Sequence, residues 1–407
     1  MLTETRKAEL VNLCQRLVQQ KSYSGQENHV AAVIKNFAQN HVFDEILTDK
    51  YGNVILSIKG SQPGPKVLLD GHIDTVPVNE KNWSVNPYSG EIKDGKIFGR
   101  GSSDMKGAVS AMLTAAVCMA EDTNKEFPGT IYISCSVHEE CFEGIATREV
   151  SRIVNPDYVI IGEATNLQLN CGQRGRAEIV LETFGKPAHS SNPSAGANAV
   201  YMMSDLIQRI NKLTVPEHPV LGKGILELTD IKSTPYPGAS VVPSYCKATY
   251  DRRLLVGETK ETVLKPLQMI IDEWKTENPQ FQAKVSFAYG EELCYTGERI
   301  GAERFFPAWV FDETEPFVQA AWQSLKDHQL NLSISHYSFC TNGSHFAGEK
   351  AIPTIGFGPS FEHLAHIDDE YIEIEQLEKA ALGYYALMTA FTNLKTKQSV
   401  LGGKEDV

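Results

Sequence analysis

Short apolar runs of five to seven residues mark the first part of the chain at 53–58, 66–70, 131–137 and 158–162, and each reads as a strand. Apolar positions at helical spacing cover 4–20 and 26–39, and a helix with small residues at Ala108, Ala111, Ala115 and Ala116 fills 105–120. Val67-Leu68-Leu69 and Tyr158-Val159-Ile160-Ile161 are apolar at consecutive positions, hence on both faces. That pattern predicts central strands of a mainly parallel sheet with helices on both sides. From about 176 the rhythm changes to strand (177–184), helix (195–212), strand (224–231), strand (245–252), helix (258–275) and strand (282–289). The order β-α-β-β-α-β is that of a ferredoxin-like unit. Helices at 315–327 and 373–393 and a short strand at 353–357 then resume the first rhythm. The economical reading is an α/β domain over 1–175 and 292–407, interrupted by an α+β domain at 176–291.

Bulk properties narrow the class without choosing a substrate. The 407 residues are 42% hydrophobic and 22% charged, which describes a soluble globular protein. A net charge of −13 argues against a nucleic-acid backbone or an anionic membrane as partner, since both favour basic surfaces. The N-terminal segment is amphipathic and lacks the apolar core of a signal peptide. No apolar stretch approaches the ~20 residues needed to span a bilayer. Eight scattered cysteines without a Cys-x-x-Cys pair fit reduced thiols, and a cytoplasmic location is expected.

Chemistry collects where the strands end. His72-Ile73-Asp74 follows the run Val67-Leu68-Leu69-Asp70-Gly71. On extended backbone residues two apart share a side, so Asp74 can accept one imidazole N–H while the other nitrogen binds metal. Asp104, in Gly99-Arg100-Gly101-Ser102-Ser103-Asp104, is a metal ligand or a helix N-cap. Glu139-Glu140 follows 131–137, and neighbours on extended backbone point apart, leaving one acid for metal and one as a base. Glu163 ends 158–162 after Gly162, and His363 and His366 lie in a Gly/Pro-rich loop region, where His363 alone would more often be a surface histidine. Taken together, His72 with Glu163, His366 with Glu140, and Asp104 between them fit a two-metal hydrolytic site. Imidazole and carboxylate without thiolate suit two Zn2+ ions, with Co2+ or Mn2+ as substitutes.

The segments Leu68–Pro77, Gly99–Gly107, Glu139-Glu140, Gly162–Thr165, Arg174-Gly175 and His366–Glu370 resemble the dizinc family of acetylornithine deacetylase, succinyl-diaminopimelate desuccinylase, aminoacylase and glutamate carboxypeptidase. One branch that it resembles is the hydrolase associated with selenium-metabolism gene clusters. The resemblance implies that Glu139 is the general base and Glu140 the ligand. It implies that 176–291 is a lid and dimerisation domain of a homodimer. Gly185-Lys186-Pro187-Ala188-His189-Ser190 matches the lid segment whose histidine reaches the partner subunit's active site, so His189 is the candidate there. Asp251-Arg252-Arg253 matches an Asp-x-Arg pattern, making Arg253 the candidate for a substrate carboxylate. Thr341-Asn342-Gly343-Ser344-His345 departs from the family's usual Gly-rich loop with Asp or Arg, and Asn342 is its candidate substrate contact.

The expected activity is metal-dependent hydrolysis of the amide bond of an N-acyl amino acid or small peptide. A di- or tripeptidase or a carboxypeptidase on the same site is the enzymatic alternative. A non-catalytic metal-binding protein is the third, though a mere binder has no need of a spare acid beside its ligands.

Overall fold

The computed structural model describes residues 2–280, 282–330 and 332–396. Two compact units emerge: one takes the chain up to Gln173, Glu291–Gly301 and the part from Val310 onward, the other Arg174–Gly290 and Ala302–Trp309.

In the first unit, strands Glu45–Thr48, Val54–Lys59, Pro128–Ser136, Gln62–His72, Tyr158–Ile161, Thr354–Gly356 and Leu169–Gln173 lie side by side in that order. Gln62–His72 runs parallel to both neighbours, and Thr354–Gly356 runs parallel to Tyr158–Ile161. The outer pairings of Val54–Lys59 are antiparallel. The sheet is therefore mainly parallel at its centre, as the doubly apolar runs predict. Val67, Leu68, Leu69, Val159 and Ile160 are fully buried. Helix Gly107–Asp122 is covered along nearly its whole length, and its alanines let it pack against helix Ile374–Thr392. At about 25 cal/mol per Å² of apolar surface, such helix and strand burial is the main stabilising term.

The second unit has strands Ile225–Thr234, Tyr245–Leu254, Gly175–Phe184 and Gln282–Phe287 in that spatial order, all antiparallel. Phe305–Phe306 adds to Gly175–Phe184. Helices Ala199–Ile210 and Lys260–Glu277 contribute Met203, Leu206, Leu267 and Ile271 to one core with Ile179, Leu181 and Tyr250. This is the ferredoxin-like order. Helix starts are fixed by caps: the Asn198 side chain accepts from the backbone N–H of Val200 and Tyr201, and Thr259 forms a capping box with Thr262.

Candidate metal centre

The parallel strands of the first unit stop at one rim, and acids and histidines stand on that rim because the turns after the strands carry them. His72 is the last residue of Gln62–His72, Glu163 follows Tyr158–Ile161 by two residues, and Glu139-Glu140 follows Pro128–Ser136. Two clusters result, His72/Asp104/Glu163 and Asp104/Glu140/His366, with the ligand atoms of each within 4.8 Å of one another. Asp104 belongs to both. Its Oδ1 lies 2.9 Å from His72 Nε2 and its Oδ2 lies 3.2 Å from His366 Nε2. His72 Nε2 is 3.5 Å from Glu163 Oε1, and His366 Nε2 is 3.0 Å from Glu140 Oε2.

Three largely buried carboxylates face buried His72 and exposed His366, and they repel one another unless cations or protons intervene. Burial pushes the Glu163 carboxyl up to about 8, with Asp104 and Glu140 adding to the rise against the pull of His72. Hydrogen bonds to Asp104 and Glu140 raise the His366 imidazole to about 10. Burial works to lower His72, but Glu163, Asp104 and Asp74 hold it well above its ordinary value. Burial lifts Glu139 far above the usual carboxylate range, and Glu163, Glu140 and Glu143 reinforce that. Donors of this kind, oxygen and imidazole nitrogen without sulfur, fit two divalent ions such as zinc, cobalt or manganese. His366 also holds a backbone φ of +63°, a left-handed conformation that a non-glycine residue keeps only where its surroundings impose it.

Two of these turns are held by buried carboxylates. Glu370, fully buried, accepts from the backbone N–H of Gly101 (3.1 Å), Ser103 (2.8 Å) and Asp104 (3.0 Å) and pairs with Arg100 at 2.6 Å. Asp104 thus sits in a non-helical turn (φ −126°, ψ 92°) and caps no helix. Asp74 departs in detail from its expected geometry. His72 Nδ1 lies 2.9 Å from the Asp74 backbone carbonyl and 3.6 Å from the carboxylate. The carboxylate instead accepts from the backbone N–H of Glu139 (3.1 Å) and Glu140 (3.2 Å). The expectation of extended backbone at this acidic pair is corrected accordingly: the strand ends at Ser136 and His138 has φ +56°. A turn, not strand alternation, separates the two carboxylates.

The loop residue Asn342 is 4% exposed, and its amide is spent internally. Nδ2 donates to Asp70 Oδ2 and to Ser136 Oγ, each at 2.9 Å, and Oδ1 accepts from Gly144 N at 2.8 Å. Asn342 thereby anchors its loop to buried strand-end groups. In the second unit His189 is exposed, and its Nδ1 accepts from Ser191 Oγ (2.7 Å) and Ser191 N (3.1 Å), which leaves Nε2 as the protonated, donating nitrogen. Arg253 is partly buried and tied through Nε to Asp251 at 2.8 Å.

Glu370, Glu27 and Ser24 also hold the turns of the site, and none of them is a candidate residue in the sequence. Glu370 stands in the quoted His366–Glu370 segment, and the available signal was a need for an acceptor at the Gly/Ser-rich turn beside Arg100.

Residues 68–390 match the family model Peptidase family M20/M25/M40. The chain is 32% identical over 389 residues to YgeY of Escherichia coli strain K12, covering 93% of this chain and 94% of that one. It is 27% identical over 353 residues to acetylornithine deacetylase of Buchnera aphidicola, covering 84% and 82%. Among solved structures, aminopeptidase PepT of Bacillus cereus shares the fold at TM-score 0.72 and 19% identity, covering 95% of this chain and 98% of that one. With its two histidine–carboxylate clusters joined at one aspartate, the chain belongs to peptidase family M20/M25/M40 and is a metal-dependent hydrolase of amide bonds.

Proposed function

We propose that the chain hydrolyses N-acyl amino acids or short peptides at a two-metal centre, with zinc as the resident ion. The observation that carries this is the sharing of Asp104 between the two clusters. His72 and Glu163 would hold one ion and His366 and Glu140 the other, with Asp104 common to both sets. When bound, such ions would supply Lewis acidity and lower the pKa of a water from 15.7 toward ~7. Glu139, buried among these groups but not one of them, takes the proton of the attacking water and returns it to the leaving amine. Asp74 accepts from the Glu139 backbone and fixes that carboxylate's approach. The Asp74 carbonyl accepts from His72 Nδ1, so that Nε2 faces the cluster.

In this reading 1–175 and 292–407 form the catalytic domain and 176–291 the lid and dimerisation domain. His189, with its donating Nε2, stabilises the oxyanion in the partner subunit's site, and Arg253 holds the substrate carboxylate. No disulfide links the eight cysteines, in keeping with a cytoplasmic home. A non-catalytic metal binder is disfavoured by the buried, separately held Glu139. Assay of the zinc-loaded chain against N-acetyl and N-succinyl amino acids beside di- and tripeptides tests the proposal. Turnover of the acylated set supports it, turnover of peptides alone selects the peptidase alternative, and turnover of neither rejects both.

A further inference from the structure

The turn that carries Glu139 and Glu140 has three consecutive backbone N–H groups, and all three are taken by buried carboxylates. Glu139 N donates to Asp74 Oδ1 and Glu140 N to Asp74 Oδ2. The preceding N–H, of His138, donates to Glu27 Oε1 at 3.3 Å. Glu27 is 0% exposed and stands directly before helix Asn28–Gln39, where an acid would ordinarily cap the helix. Its longer side chain does not cap the helix. It turns away to reach His138, and the same oxygen accepts from Gly25 N at 3.0 Å. Three residues earlier, Ser24 Oγ donates to Asp74 Oδ2 at 2.7 Å. The segment is laced alongside the His72-Ile73-Asp74 strand end: Ser22 Oγ donates to Ile73 O at 2.7 Å, and Thr75 N donates to Ser22 O at 2.9 Å. Both Ser24 and Glu27 precede the residues matched to the family model.

We propose that Glu27 is a positioning residue for the hydrolytic step: with Asp74 it fixes the turn that aims the Glu139 carboxylate, while Ser24 steadies Asp74. The proposal rests on the role given above to Glu139. A turn with φ +56° at His138 has no regular secondary structure to hold it, so its direction depends on acceptors for its N–H groups. A misplacement of about 1 Å at a reacting group can cost on the order of 10²-fold in rate. Among the described residues Glu27 Oε2 has no hydrogen-bond partner, and burial beside Asp74 raises the carboxyl to about 8. Only the Oε1 acceptor is used, and a glutamine supplies that acceptor equally well.

The test compares Glu27→Ala, Glu27→Asp and Glu27→Gln with the wild-type chain, zinc-loaded, by four measurements. These are kcat, KM, metal content, and hydrogen–deuterium exchange of the peptide spanning 137–142. Glu27→Ala is expected to lower kcat on the order of 10²-fold with KM within about threefold, metal content unchanged and faster exchange in that peptide. Glu27→Gln is expected to restore kcat to within about fivefold of wild type, as a retained acceptor should. If Glu27→Ala does not fold, Glu27→Asp carries the same test, since its acceptor is withdrawn by one methylene. Wild-type kcat and wild-type exchange in the variant lacking the acceptor overturn the proposal. So does a fall in kcat matched by an equal loss of metal or of folded protein, or a glutamine variant as impaired as alanine. If the wild-type chain hydrolyses no amide, the reading of Glu139 fails, while the exchange comparison still decides whether Glu27 holds the turn.

Discussion

Buried carboxylates do two different jobs in this molecule, and the residue scale is where they separate. Asp104, Glu140 and Glu163 face one another and the histidines; Asp74 and Glu370 face backbone N–H groups. The first kind calls for metal and the second for rigidity. Removing Glu370 leaves Arg100, itself 3% exposed, without its partner and uncaps three N–H groups. Glu370→Ala should therefore destabilise the first unit by about 3–5 kcal/mol, read by chemical denaturation, and a loss below about 1 kcal/mol would contradict this role. Glu139 belongs to neither kind. Glu139→Gln should keep its metal by elemental analysis and lose about 10²–10⁴-fold in kcat. A variant with wild-type turnover would remove Glu139 from proton transfer.

At the scale of elements, much was legible in the chain. The run at 131–137 lies within three residues of Pro128–Ser136 at either end, and 105–120 foreshadows Gly107–Asp122. Apolar periodicity works there because burial is decided locally, face by face. It fails at Asp104, which a local reading allows as a helix cap. The acceptor that shapes its turn, Glu370, is 266 residues away in the chain. Likewise Glu139-Glu140 reads as strand alternation until Asp74 and Glu27 are seen to hold a turn. The glycine before Glu163 signals crowding, and the structure supplies the cause. A Cβ on Gly162 would lie 2.0 Å from Met112 Cε, a flexible end that can move. Gly358 is the stricter case, since a Cβ there would lie 2.2 Å from Gly162 O and 2.4 Å from Glu163 O, both backbone. Gly358→Ala should displace Glu163, costing about 1–3 kcal/mol in stability and weakening metal binding. Unchanged affinity in a metal titration would show that the strand end gives way without moving the ligand.

Across the whole molecule, the question is what the second unit does. Strand Ile225–Thr234 is the edge of its sheet, ten residues long, with Ile225 41% and Ile231 48% exposed. A long edge of this kind pairs readily with a copy of itself. The proposed dimer should weigh twice 45.0 kDa in light scattering, and Ile231→Asp should shift it to monomer. Mixing Glu139→Gln with His189→Ala chains should then restore part of the lost activity. A fully active monomer would sink both the dimer and the role of His189 in the partner subunit.

The central claim is a pair of ions joined by Asp104, and metal uptake reads it most directly. Metal-depleted chain titrated with zinc, with turnover of an N-acyl amino acid followed in parallel, should bind two equivalents per chain and gain activity as they bind. Fewer than two equivalents, or two equivalents with no hydrolysis of any amide in the panel, would contradict it.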